Sequence, residues 1–137
     1  MKVIGLDIGA KRIGIATASS DVKIAVPHAV VSVGENLGET FEELKNIILA
    51  EKTEVIIVGL PRNSKGEETK QSQLVKKFMT DFESAVDLQQ PIYYQDESLT
   101  SVIAEERLGA TGRDFDKGKI DSEAAAIILT DYLERNF

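Results

Sequence analysis

Val3-Ile4-Gly5-Leu6 opens an apolar run, and residues 2–8 read as a buried strand ending at Asp7-Ile8-Gly9. Residues 12–19 alternate apolar and polar in the manner of a half-buried strand. Residues 23–33 contain a third strand, bent near Pro27. Short turns between the three predict an antiparallel meander. The period then changes to 3.6. Leu37, Phe41, Leu44, Ile47 and Ile48 line one face of a helix over about residues 38–52. Residues 54–60 are a buried strand stopped by Pro61, and Asn63-Ser64-Lys65-Gly66 is a loop. A second helix spans about 67–84, with Leu74, Val75, Phe78, Met79 and Phe82 inward. Residues 91–95 form a fifth strand. A third helix covers about 99–108, residues 109–119 are a polar loop, and a last helix runs over about 121–135.

The order βββ, then αβαβ, then two helices predicts parallel pairing for the later strands. The expected α/β architecture is a mixed five-stranded sheet with helices on both faces, in one domain over 1–137. Sites in such sheets lie at the carboxyl ends of strands. Asp7 ends the first strand, and Glu97 follows the fifth.

Composition narrows the classes. A chain of 137 residues with 42 % apolar content can bury a real core. It contains no cysteine, which excludes disulfides and thiolate metal sites. Apolar runs fall short of the roughly 18 to 20 residues of a membrane span, so a cytoplasmic location is expected. The net charge of −7 argues against a surface coated in positive charge. Cations are nonetheless grouped at Lys11-Arg12, Lys65 with Lys70, Lys76-Lys77, and Arg113 with Lys117 and Lys119.

Three acids stand where elements end: Asp7, Glu97 and Asp121. Asp121 shares a helix face with Ala125, Ile128 and Tyr132, by steps of four, three and four, so it points toward the sheet. Two like charges about 4 Å apart repel by roughly 4 kcal/mol at an effective dielectric of 20, and a proton or a metal must compensate. Oxygen-only ligands select hard cations such as Mg²⁺ or Mn²⁺. Two such ions suit in-line phosphodiester displacement. Each acid also has a plain structural use: Asp7 in a turn, Asp96 and Glu97 capping the helix that follows, Asp121 as an N-cap.

Two glycine-containing stretches suit a phosphate. Gly5 to Gly14 is a strand–turn–strand unit whose glycines allow close backbone approach to a ligand. It lacks the P-loop pattern. In Gly59 to Gly66, Arg62 or Lys65 is placed to meet a phosphate. His28, the only histidine, is expected to be structural or on the surface rather than catalytic.

Together these residues resemble the YqgF family of Holliday-junction-resolvase-like proteins and pre-16S rRNA nucleases. The carriers are Gly5-Leu6-Asp7-Ile8-Gly9 with Lys11-Arg12-Ile13-Gly14, Ile57-Val58-Gly59-Leu60-Pro61 with Asn63 and Gly66, Asp96-Glu97-Ser98-Leu99-Thr100-Ser101, and Lys117-Gly118-Lys119-Ile120-Asp121-Ser122. The resemblance implies a ribonuclease H-like fold with strand order 3-2-1-4-5. It implies that Asp7, Glu97 and Asp121 are the catalytic acids and hold two Mg²⁺ or Mn²⁺ ions, with Asp7 shared. Lys117 and Lys119 would hold backbone phosphate, and Lys11, Arg12, Arg62 and Lys65 complete the candidate substrate contacts. Ser98 stands where family members commonly carry Arg.

The implied function is a metal-dependent endonuclease, a hydrolase that processes precursor 16S rRNA in ribosome biogenesis. Its partners would be nucleic acid and a ribosomal particle, with no membrane, in a monomer or homodimer. The alternatives are a resolvase of four-way DNA junctions, which needs two active sites and so a dimer, and a non-catalytic nucleic-acid-binding module. An actin-like phosphotransferase would need a second nucleotide-clamping domain, for which the chain has no room.

Overall fold

The first turn shows how closely the meander is wound. The Gly9 N–H donates to Arg12 O at 2.9 Å, and a Cβ on Gly9 would stand 2.8 Å from that oxygen. Any other residue would force the turn open. The computed structural model describes residues 1–63, 65–97 and 117–136, apart from the side chains of 97 and 117–119. The turn joins β1 (Lys2–Ile8) to β2 (Arg12–Ser19), and β3 (Ala25–Ser32) completes the meander. β1–β2 and β2–β3 are antiparallel. Between Ile15↔Ala29 and Ala16↔Pro27 the register slips by one residue, and His28 is the extra one. That bulge sits beside Pro27 on an edge strand, where a missing backbone donor is tolerated. His28 is exposed, and its Nε2 lies 3.0 Å from Glu51 Oε1 at the end of the first helix.

β4 (Val55–Pro61) pairs parallel with β1, and β5 (Ile92–Glu97) parallel with β4. The sheet order is β3-β2-β1-β4-β5, as expected. Strand β1 is therefore central, and its alternate residues enter two different cores. Ile4, Leu6 and Ile8 join Phe41, Leu44 and Ile48 of α1 (Leu37–Ala50) and Val75, Met79 and Phe82 of α2 (Lys70–Val86). Phe41 packs edge-on to Phe78 with ring centroids 5.2 Å apart. Val3, Ala16, Ala18 and Ile57 face the long helix α3 (Lys117–Asn136) through Ala125, Ile128, Leu129 and Leu133.

Side-chain size sets how near α3 lies. Built on Gly5, a Cβ would come within 2.9 Å of Leu129 Cβ, and on Gly59 within 2.4 Å of Ile128 Cδ1. On Gly14 it would lie 2.0 Å from the backbone oxygen of Asp121. Of the glycines in the two stretches expected to approach a phosphate, Gly5, Gly14 and Gly59 admit α3 instead, because the helix already occupies the space above them.

Several expectations need correcting. Leu37 and Leu74 are 42 % and 56 % exposed. Leu37 opens its helix, and Leu74 lies beside the buried stripe that Val75, Met79 and Phe82 form at steps of four and three. Helix α2 begins at Lys70, after a capping box between Thr69 and Ser72, rather than at 67. Strand β5 extends through Glu97. Positions 117–119 are helical, not loop, so Asp121 lies one turn inside α3 rather than at its cap. The expected helix at 99–108 and the loop from 109 to 116 lie outside the described residues.

Candidate active site

The carboxyl end of β1 places Asp7 on the α3 face of the sheet, since its neighbours Leu6 and Ile8 belong to the opposite core. Its register partner on β2 is Gly14. Because Gly14 has no Cβ, the backbone of α3 at Asp121 descends onto that position. One glycine thus brings together two acids 114 positions apart.

The electrostatic consequence is large. Burial, and then the charge of Asp121, raise the Asp7 carboxyl from 3.8 to about 6. Asp121 has a cationic partner as well. Arg12 Nε donates to Asp121 Oδ2 at 2.7 Å, with side chains 32 % and 23 % exposed. Arg12 opens β2 two residues before Gly14, so strand alternation puts it on the same face as Asp7. Among the described residues, the cluster is therefore two carboxylates and one guanidinium.

A second group lines the ends of β4 and β5. Arg62 Nε donates to Asp96 Oδ1 at 3.0 Å, and Arg62 Nη1 lies 3.9 Å from Glu68 Oε1. Glu68 also pairs with Lys76, whose hydrogen bond and charge hold its carboxyl below the usual range. In the loop, Asn63 Oδ1 accepts from the backbone N–H groups of Lys65 and Glu67 at 2.9 and 3.0 Å. Gln71 Nε2 donates to Ile8 O at 3.2 Å, tying the start of α2 to the end of β1.

Among the predicted site residues, the structure brings Asp7, Arg12 and Asp121 together. Glu97 ends β5, two strands from Asp7, and its side chain lies outside the described residues. The same holds for the side chains of Lys117 and Lys119 in the first turn of α3. Lys11 and Lys65 are exposed. Arg62 is committed to two acids, a pairing that the sequence did not reveal. Among the described residues, no group of three His, Cys, Asp or Glu side chains stands close enough to hold a metal.

Sequence reasoning passed over Gln95. It is 6 % exposed, and its Nε2 has no hydrogen-bond partner. Its signal was an amide directly after the apolar half of β5 and before the acids Asp96 and Glu97.

Comparison with known proteins agrees with this architecture. The family model described as "RuvX: Holliday junction resolvase" matches residues 1–135. A protein of Maridesulfovibrio salexigens named "Putative pre-16S rRNA nuclease" is 39 % identical, over 98 % of this chain and 99 % of its own length. One of the same name from Streptococcus mutans is 34 % identical over the full length of both chains. Among solved structures, Thermus thermophilus RuvC in complex with a Holliday junction substrate superposes with a TM-score of 0.58 at 17 % identity. That alignment covers 98 % of this chain and 94 % of RuvC, and it shows the ribonuclease H-like fold. With its central acid, its strand order and its full-length relatives in agreement, the chain belongs to the RuvX (YqgF) family of nucleases.

Proposed function

We propose that this protein is a divalent-cation-dependent endonuclease that processes the 5′ end of precursor 16S rRNA during ribosome biogenesis. The observation that carries the reading is the meeting of Asp7 and Asp121 at the carboxyl end of the central strand. Full-length relatives named for pre-16S rRNA supply the substrate.

The residues suit hard cations. Both donors are carboxylates, and carboxylate oxygen selects Mg²⁺ or Mn²⁺ over softer metals. The raised Asp7 carboxyl marks a place where added positive charge is favoured. Asp7, Asp121 and Glu97 would hold the ions, Glu97 by virtue of its place at the end of β5. When bound, the cations supply Lewis acidity for water attack on phosphorus and for the departing oxygen. Asp7 and Asp121 act as fixed anchors on rigid elements, so little reorganisation accompanies the reaction. Half-buried on the α3 face, Asp7 must lose its proton before it can serve. Lys117 and Lys119, in the first turn of α3, and exposed Lys11 and Lys65 would hold substrate phosphates. Arg12 and Arg62 join them whenever their carboxylate partners release them. The proposed location is the cytoplasm, with a ribosomal particle as partner.

The test is cleavage of end-labelled precursor 16S leader RNA in Mn²⁺, comparing wild type with Asp7→Asn. Specific cleavage by wild type alone supports the reading, and no cleavage by either, with or without ribosomal particles, refutes it. The family's description favours a second substrate, the four-way DNA junction. Its resolution requires a dimer, so paired symmetric nicks by a dimeric protein would favour that substrate.

A further inference from the structure

The proposed function leaves open what releases Arg12 from Asp121, whose Oδ2 accepts a hydrogen bond from Arg12 Nε at 2.7 Å. We propose that Arg12 competes with the divalent cation for Asp121, and that substrate phosphate draws Arg12 away, so nucleic acid and cation load the site cooperatively. This inference rests on the cation-dependent nuclease reading and names the residue that couples its two ligands.

Three features support it. First, the contact consumes an oxygen of a carboxylate assigned to the cation. A cation coordinated to Asp121 at about 2.1 Å would sit beside a fixed like charge. The pair is at least two-thirds buried on both sides, so water screens that repulsion poorly. Second, Arg12 cannot retreat through its backbone. The Gly9–Arg12 hydrogen bond closes the turn before it, the β1–β2 and β2–β3 ladders hold the residues after it, and Lys11 O accepts from Val33 N at 2.9 Å. Any release must come from rotation of the side chain, whose exposed third faces solvent. Third, an attractive new partner is the substrate itself. Guanidinium groups bind phosphate through a planar fork of donors, and among the described residues Arg12 spends only its Nε on an ion pair. Cation and phosphate then each favour the conformer that the other needs, and such coupling is reciprocal.

The experiment is Mn²⁺ titration followed by electron paramagnetic resonance, with and without a phosphorothioate-substituted RNA hairpin that resists cleavage. The proteins are wild type, Arg12→Gln, Arg12→Lys and Asp121→Asn, each checked for folding by circular dichroism. Without RNA, Arg12→Gln should bind Mn²⁺ about 3- to 10-fold more tightly than wild type. RNA should tighten Mn²⁺ binding to wild type by about tenfold. In Arg12→Gln that gain should shrink at least threefold, and in Arg12→Lys, which keeps a mobile charge, part of it should return. Equal or weaker Mn²⁺ binding by Arg12→Gln would overturn the proposal and leave Arg12 as a mere orienter of Asp121. An undiminished RNA effect in Arg12→Gln would also overturn it. In both cases wild type still binds Mn²⁺, and the nuclease reading stands. Absence of Mn²⁺ binding to every protein, with RNA present, would remove both together.

Discussion

Replacing Asp7 by Asn should stabilise the folded protein while abolishing turnover. The Asp7 carboxyl is raised from 3.8 to about 6 by burial and by Asp121. One pKa unit corresponds to about 1.4 kcal/mol, so the ionised group costs the fold roughly 3 kcal/mol above pH 6. Asn keeps the shape of the protonated acid and carries no charge, so that cost disappears. Unfolding entropy for 137 residues is about 0.3 kcal/mol per kelvin, which places the mutant's Tm roughly 10 °C above wild type at pH 8. The pH dependence has a defined sign. Between pH 3.8 and about 6 the native state holds a proton that the unfolded state has released, so wild type gains stability as pH falls. By pH 5 about half of the difference should be gone. Excess Mn²⁺ should reverse the order, because only wild type gains full ligand-binding energy. The assay is thermal melting by circular dichroism at pH 8 and pH 5, in EDTA and in Mn²⁺. A mutant that melts no higher than wild type at pH 8 in EDTA, or by a margin that does not shrink at pH 5, refutes the electrostatic account of Asp7.

Other consequences are simpler to state. Gly14→Ala should cost about 3 kcal/mol or more in urea denaturation and lose activity, since its Cβ would meet the Asp121 backbone oxygen at 2.0 Å; unchanged stability would mean that α3 does not pack as described. Phe82→Ala should destabilise by about 3 to 5 kcal/mol, because Phe82 is fully buried between the sheet and α1, and a loss under 1 kcal/mol would contradict that. Thr69→Ala removes half of a capping box and should cost about 1 kcal/mol, read from the same urea curves. Lys117→Ala and Lys119→Ala should each weaken RNA binding and lower its salt slope by about one; an unchanged slope rules out that phosphate contact.

Periodicity and turn chemistry made much of this protein legible from its residues. Three strands with short connections favour pairing with one another, and strands alternating with amphipathic helices favour parallel pairing. That logic yields the mixed sheet, and it explains why Asp7 stood out as an acid closing an apolar strand. The helix face of Asp121, Ala125, Ile128 and Tyr132 was equally readable, because spacing alone sets which residues share a face.

Contacts between elements were not readable, because they depend on how closely two surfaces approach. Gly5, Gly14 and Gly59 looked suited to a ligand, yet their missing side chains serve to seat α3. Leu37 and Leu74 fit an apolar pattern and still face solvent, since the buried stripe of each helix is decided by the partner it meets. Arg12 looked free to bind phosphate, and only folding shows that its nearest anion is Asp121. A sequence lists charges in order along a chain. Which of them neutralise one another depends on distances of a few ångströms that only the packed tertiary structure sets.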